Sequence, residues 1–273
     1  MIIDFHTHAF PDALAAKTIP LLAAKAAVPP HTDGTVRGLC EAMTKAGVDH
    51  SVVLPVVTKP TQFDSVNAFS AEMNRLPQLI AFGGIHPDDG DIPAHVAKIA
   101  ELGLPGIKIH PDYQGVFIDD DRYVQIAREA LRHDLYVITH AGVDDGYPDC
   151  VHCPPDRAAR FLDRVYEGKE PQEARIIFAH GGGNRQFADV KKHLAGRNVY
   201  FDLAYIAAYA DAEEITDLIR AHGAHRVLFA SDCPWGDPAD AIRFVNSLSL
   251  TEEEKEKIFG GNAGRMLHRY TLL

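Results

Sequence analysis

Long apolar runs, cysteine and positive charge are what this 273-residue chain has least of. No stretch reaches the roughly 20 apolar residues that span a bilayer, so no membrane-spanning helix is expected. The opening MIIDFHTHAF has no basic segment followed by a long apolar core, so a secretory leader is not expected. The closing TLL matches no targeting signal. Cys40, Cys150, Cys153 and Cys233 are too few and too dispersed for a disulfide framework, which predicts a reducing, cytoplasmic setting. The formal charge is −11, with Lys and Arg scattered rather than striped. Nucleic acid and anionic membrane surfaces are therefore disfavoured as partners, because affinity for both rests on concentrated positive charge.

Eight short apolar runs alternate with longer amphipathic stretches. The predicted strands are 2–8, 51–57, 79–86, 106–110, 135–140, 174–180, 198–204 and 226–232. Most are continuous Val, Ile, Leu and Phe, the composition of parallel strands covered on both faces. Helical patterns lie between them, from TVRGLCEAMTKAGV ahead of the second strand to AEEITDLIRAHGA ahead of the eighth. PADAIRFVNSL and TEEEKEKIFGGNAGRMLHRY close the chain, and 12–28 reads as an extra helix after the first strand. Pro155 near a first turn, and Gly47, Gly196 and Gly223 near ends, punctuate these helices. Eightfold alternation predicts an α/β fold of (β/α)8 barrel type, as one domain over 1–273. A doubly wound open sheet fits less well, for the first turn is not glycine-rich.

In such a barrel the active site lies at the carboxyl ends of the strands. Strand one ends in His6-Thr-His8, strand three in His86, strand five in His140, strand six in His180 and strand eight in Asp232. Strand four carries Lys108 and ends in His110. Strict alternation predicts that Asp4, His6 and His8 share one face, opposite Ile3 and Phe5. Two histidines alone fit a metal pair or satisfied core rings equally well. Nitrogen ligands and a carboxylate gathered at one opening favour a metal. Asp4 is expected to accept a hydrogen bond from a ligand histidine.

FHTH, THAG, AHGGG, SDCPW and the closing GNAGRML, in that order, resemble the amidohydrolase superfamily, and more narrowly its metal-dependent TIM-barrel hydrolase and decarboxylase branch. The resemblance implies a divalent metal, usually zinc, on His6, His8, His140 and Asp232. It makes His180 a substrate-side residue with one metal and a ligand with two. GIKIHP resembles the segment where a carboxylated lysine bridges two metals, which would make Lys108 a ligand. The alternative is Lys108 pairing an acid or holding an anionic substrate. His110 at that strand end speaks against the bridge. His86 and His152 are further candidates for substrate contact, the latter in the long loop GVDDGYPDCVHCPP with Cys150 and Cys153.

The chemistry so implied is metal-assisted hydrolysis of a C–N or C–O bond in a small molecule such as a cyclic amide, ester or lactone. Asp232 would act as general base, with His180 polarising the carbonyl. Decarboxylation of an aromatic or related acid is the second reading, with Lys108, Arg157 or His110 holding the carboxylate. A metal-dependent deoxyribonuclease is less favoured by the charge and by KIHP in strand four. A barrel without chemistry, serving as a binding protein, is the non-catalytic reading. The family resemblance also allows a homo-oligomer.

Overall fold

A computed structural model describes residues 1–167, 171–268 and 270. Its strands are β1 (Ile3–Thr7), β2 (His50–Val53), β3 (Leu79–Ala81), β4 (Gly83–Gly84), β5 (Gly106–Ile109), β6 (Tyr136–Thr139), β7 (Ile176–Phe178), β8 (Tyr200–Asp202) and β9 (Val227–Leu228). All pairings are parallel, in the order β1-β2-β3 and β4 through β9. β3 and β4 are one stave, interrupted at Phe82, whose N–H still donates to Val53 O at 2.9 Å. The last stave returns to the first through Phe5 N to Phe229 O (2.8 Å), Asp232 N to His6 O (2.9 Å) and His8 N to Cys233 O (2.7 Å). The fold is the expected eight-staved barrel, with strands shorter than their apolar runs because the last residues of each run turn into loops.

The interior is filled by residues such as Phe5, Val52, Ile80, Phe82, Ile138, Ile177 and Leu228, closed below by Ala263, Met266 and Leu267. A larger layer packs the opposite strand faces against the helices. Helices occupy the predicted stretches, among them Val36–Ala46, Asp121–Arg132, Pro155–Tyr166 and Ala212–His222. Gly47 ends the first of these at φ 76° and Pro155 begins the third. The extra helix after β1 is present at Asp12–Ala26. Gly168, Arg269 and the TLL tail, which fall in or beyond predicted helices, lie outside the described residues. Among the described residues no helix is long and apolar enough to cross a membrane.

Two local departures matter. The closing helix is not uniform. Glu252–Glu256 passes through a wide π-type turn, Lys257–Gly261, into Asn262–Leu267. Ile258 O accepts Phe229 N at 2.9 Å, which ties this turn to the last stave of the barrel. β1 also departs from strict alternation. Asp4 pairs with Ser51 and Thr7 with Val53, one residue more on β1 than on β2. This bulge falls at His6 and turns it inward beside Phe5, its sequence neighbour. The expectation that His6 shares a face with Asp4 is therefore corrected. Asp4 faces the last stave, where its carboxylate accepts Ser231 N (2.9 Å) and Ser231 Oγ (2.5 Å).

The interrupted stave is held by Asn67, on the helix Phe63–Met73. Its amide donates to Phe63 O (2.8 Å) and Gly84 O (2.9 Å) and accepts Gly84 N (3.0 Å). Replacing Asn67 by leucine leaves these buried backbone groups unpaired, at about 1–3 kcal/mol for each orphaned group. The expected outcome is a lower urea midpoint with an unchanged slope. An unchanged midpoint would show that the stave does not depend on this side chain.

Candidate metal centre

Most of the expected strand-end residues meet in a cavity of about 660 Å³ at the barrel mouth. His6, His8, Lys108, His110, His140, His180 and Asp232 all line it. Phe10, Leu22, Phe69, Tyr113, Tyr147 and Trp235 contribute apolar and aromatic wall. His86 and His152 do not line it. His86 Nδ1 accepts Asp88 N at 3.1 Å within its own turn, while His152 binds Asp112 through its N–H and Nδ1, both at 3.0 Å. Arg157 is engaged by Asp119 at 2.6 Å and also lies away from the cavity lining. Cys150 and Cys153 are free thiols, the first exposed and the second buried.

The floor carries two groups of potential ligand atoms, each within 4.8 Å of one another: His6, His8 and Asp232, and His110, His140 and Asp144. In the first, Asp232 Oδ1 lies 3.2 Å from His8 Nε2 and 3.5 Å from His6 Nε2. The far nitrogens are occupied: His6 Nδ1 pairs with Asp202 Oδ2 at 2.8 Å, and His8 Nδ1 with Leu54 O at 2.7 Å. Both Nε2 atoms are thereby turned to the cavity with the tautomer that leaves a lone pair free. The His180 ring lies 5.2 Å from that of His6 and 4.7 Å from that of His140. His180 Nδ1 is held by Ala204 O at 3.0 Å.

Backbone geometry presents these groups. His180 (φ 57°) and Asp232 (φ 68°) both adopt the left-handed conformation, uncommon for residues with a Cβ and held here by surrounding contacts. Gly142, after His140, is at φ 81°, and a Cβ there would stand 2.0 Å from Asn184 N. THAG and HGGGN thus meet backbone to backbone, which only glycine permits.

Burial governs the charges. His6, His110 and His140 are held well below the ordinary imidazole range by burial, with Lys108 and neighbouring rings adding to it. Lys108 is pushed down to about 8, again by burial, opposed by Asp202, Asp232 and Asp144. Its Nζ lies 3.2 Å from His6 Nε2. Burial raises Asp144 to about 6.

A family model described as amidohydrolase matches residues 3–269. The chain belongs to the amidohydrolase family. A curated relative is the 2-amino-3-carboxymuconate-6-semialdehyde decarboxylase of Dictyostelium discoideum, 27% identical over 195 residues, or 60% of this chain and 54% of that one. The chain thus spans about half the length of that relative. Among solved structures, the 2,6-dihydroxybenzoate decarboxylase from Rhizobium superposes with a TM-score of 0.71 at 18% identity, over 98% of both chains. The 5-carboxyvanillate decarboxylase from Novosphingobium aromaticivorans, solved with bound manganese, gives 0.69 at 16% identity, over 98% of this chain and 97% of that one. At these identities the likeness establishes the fold.

This amidohydrolase has a floor that fits a divalent ion. Nitrogen and carboxylate donors converge, and the buried His140 Nε2 has no hydrogen-bond partner. Three acidic residues were not anticipated from the sequence. Asp202 ends the observed strand, but the predicted strand ran on to 204, so the strand-end rule passed it over. Asp112 sits in the one-turn helix Pro111–Gln114 and Asp144 in a loop, where spacing alone carries no such signal. Asp4, expected to accept a hydrogen bond from a ligand histidine, meets His6 through the backbone N–H, at 3.3 Å, and not through the ring. Asp202 takes the ring.

Asp202→Asn should therefore weaken metal binding about 10–100-fold, the usual effect of losing a carboxylate behind a ligand histidine. Competition against a chromophoric chelator measures it. An unchanged affinity would mean that His6 does not need Asp202 for its orientation.

Proposed function

We propose that this amidohydrolase is a metal-dependent decarboxylase of a small aromatic or related carboxylic acid. The observation that carries the reading is the buried Lys108 ammonium beside the His6–His8–Asp232 group, under aromatic walls. It offers a cation for a carboxylate, donors for a metal and flat surfaces for a ring. Hydrolysis, which the sequence placed first, yields to decarboxylation because the curated relative and both solved neighbours carry decarboxylase names.

His6, His8 and Asp232 would hold the ion, with His140 and His180 as the neighbouring nitrogens. Zinc and manganese both suit such donors, and manganese is the metal named for the Novosphingobium neighbour. When bound, the ion supplies positive charge against the substrate's carboxylate and an adjacent oxygen. Lys108, whose Nζ lies 3.2 Å from His6 Nε2, would hold the substrate carboxylate. Asp232 would relay a proton from water to the ring carbon that bears the carboxylate. The carbon–carbon bond then breaks, its electron pair restores the ring, and carbon dioxide leaves. Water returns the proton to Asp232. His180 Nε2 orients a substrate oxygen. The apolar wall excludes bulk water, which strengthens each of these charge contacts.

The experiment is carbon dioxide release over a panel of hydroxybenzoic and related unsaturated acids, run beside an ester, lactone and cyclic amide panel. Release of carbon dioxide that is lost on chelation and restored by Mn²⁺ or Zn²⁺ is the expected result. Asp232→Asn should lower kcat by about 10²–10⁴-fold with the fold intact. Turnover of the ester or amide panel alone would return the assignment to hydrolysis.

A further inference from the structure

We propose that the acid taken by this site carries an apolar tail of several carbons, laid against the helices Asp12–Ala26 and Phe63–Met73. The inference rests on the decarboxylase reading for its ring and carboxylate, and adds what else the substrate bears. Size raises it first. A cavity of ~150 Å³ already holds a benzene ring. The cavity over this floor measures about 660 Å³, a size that takes a much larger ligand. A single-ring hydroxy acid held by Lys108 and the His6–His8–Asp232 group leaves most of that space unfilled.

The lining decides what fills the rest. Leu14, Thr18 and Leu22 all line the cavity, and their spacing of four residues puts them on one face of the helix Asp12–Ala26. That helix buries only Ala15 and Ile19, which lie on the neighbouring face. Leu14 is 48% exposed, so the cavity face is not spent on the core. The helix Phe63–Met73 is built alike. It buries Phe63, Asn67, Ser70 and Met73, while Ser65, Val66 and Phe69 line the cavity from a second face. Pro55 and Val56, after β2, extend this apolar side.

The remaining wall differs. The segments after β6, β7 and β8 bring Asp144, Asp145, Asn184 and Tyr205 to the cavity, and Asp145 is tied to Arg185 at 2.7 Å. An alkyl chain laid there would strip water from polar groups at a cost, whereas against Leu22 and Val66 it leaves water favourably. With the carboxylate held at the floor, the ring carbon opposite it points to the mouth, where the two helix faces stand. The tail is therefore placed para to the carboxylate.

The test uses 5-alkylresorcinols, which carry the chain at the same ring position and have no carboxylate to lose. The full chain, with Mn²⁺ present, is titrated calorimetrically with 5-methylresorcinol and 5-pentylresorcinol. A fully buried methylene is worth roughly fourfold in affinity, so with partial burial the pentyl compound should bind about 10–100-fold tighter. Leu22→Asp and Val66→Asp, both at half-buried positions, should each bring that ratio close to one, with circular dichroism confirming the fold. A wild-type ratio near one, or no binding of either compound, overturns the proposal. A high ratio that survives in either folded variant also overturns it, because the chain then lies elsewhere. A wild-type ratio near one beside carbon dioxide release from unsubstituted hydroxybenzoates removes the tail and leaves the decarboxylase. A high ratio that both variants abolish, with no acid losing carbon dioxide, keeps the apolar arm and removes the decarboxylase.

Discussion

The Asp202 carboxylate is the contact on which the mouth of this barrel depends. It is fully buried at the end of its strand and makes three short contacts. Oδ2 takes His6 Nδ1 at 2.8 Å, while Oδ1 takes His180 N at 2.8 Å and Ala204 N at 3.0 Å. One side chain thus reaches across the intervening last stave to orient the His6 ring on β1, and it fixes the turn that presents the His180 ring. Burial pushes its pKa up, against the hydrogen bonds and the neighbouring His180 and Lys108 that favour the anion. A buried carboxylate persists only with such company.

Around that anchor, strands and loops divide the work. The strands supply His6 and Lys108 directly, and His8, His110, His140, His180 and Asp232 follow strand ends at positions set by the sheet. The segments that follow the strands supply Asp112, in the short helix Pro111–Gln114, and Asp144, together with much of the wall. The helix Asp12–Ala26 brings Lys25 to the mouth, where its Nζ stands 3.2 Å from the centre of the Tyr147 ring. The floor is consequently rigid and rich in donors, while the substrate-facing wall is built from the segments most free to vary.

Most of the floor was legible in the sequence because the barrel has one rule for where function sits. A histidine at the carboxyl end of a predicted strand is placed in space without knowledge of any loop. His6, His8, His140, His180 and Asp232 could be named on that ground. The same rule overreached at His86, which spends its Nδ1 on its own turn, and it was not applied to Asp202. Asp4 was misjudged for a different reason. Strict alternation predicts its face, but β1 carries an extra residue that reverses the alternation at His6, and a bulge leaves no mark in an apolar run.

By itself the sequence determined the repeating strand–helix order, the apolar layers and the residue types gathered at the strand ends. All of these follow from periodicity and from burial, which act locally or through average composition. Only the tertiary structure decided which carboxylate serves which ring and that the floor holds two donor groups rather than one. It also decided that Lys108 stands against His6. Those are distances of a few ångströms between residues 28 to 227 positions apart in the chain. Barrel closure and loop packing set them, and no local pattern encodes either.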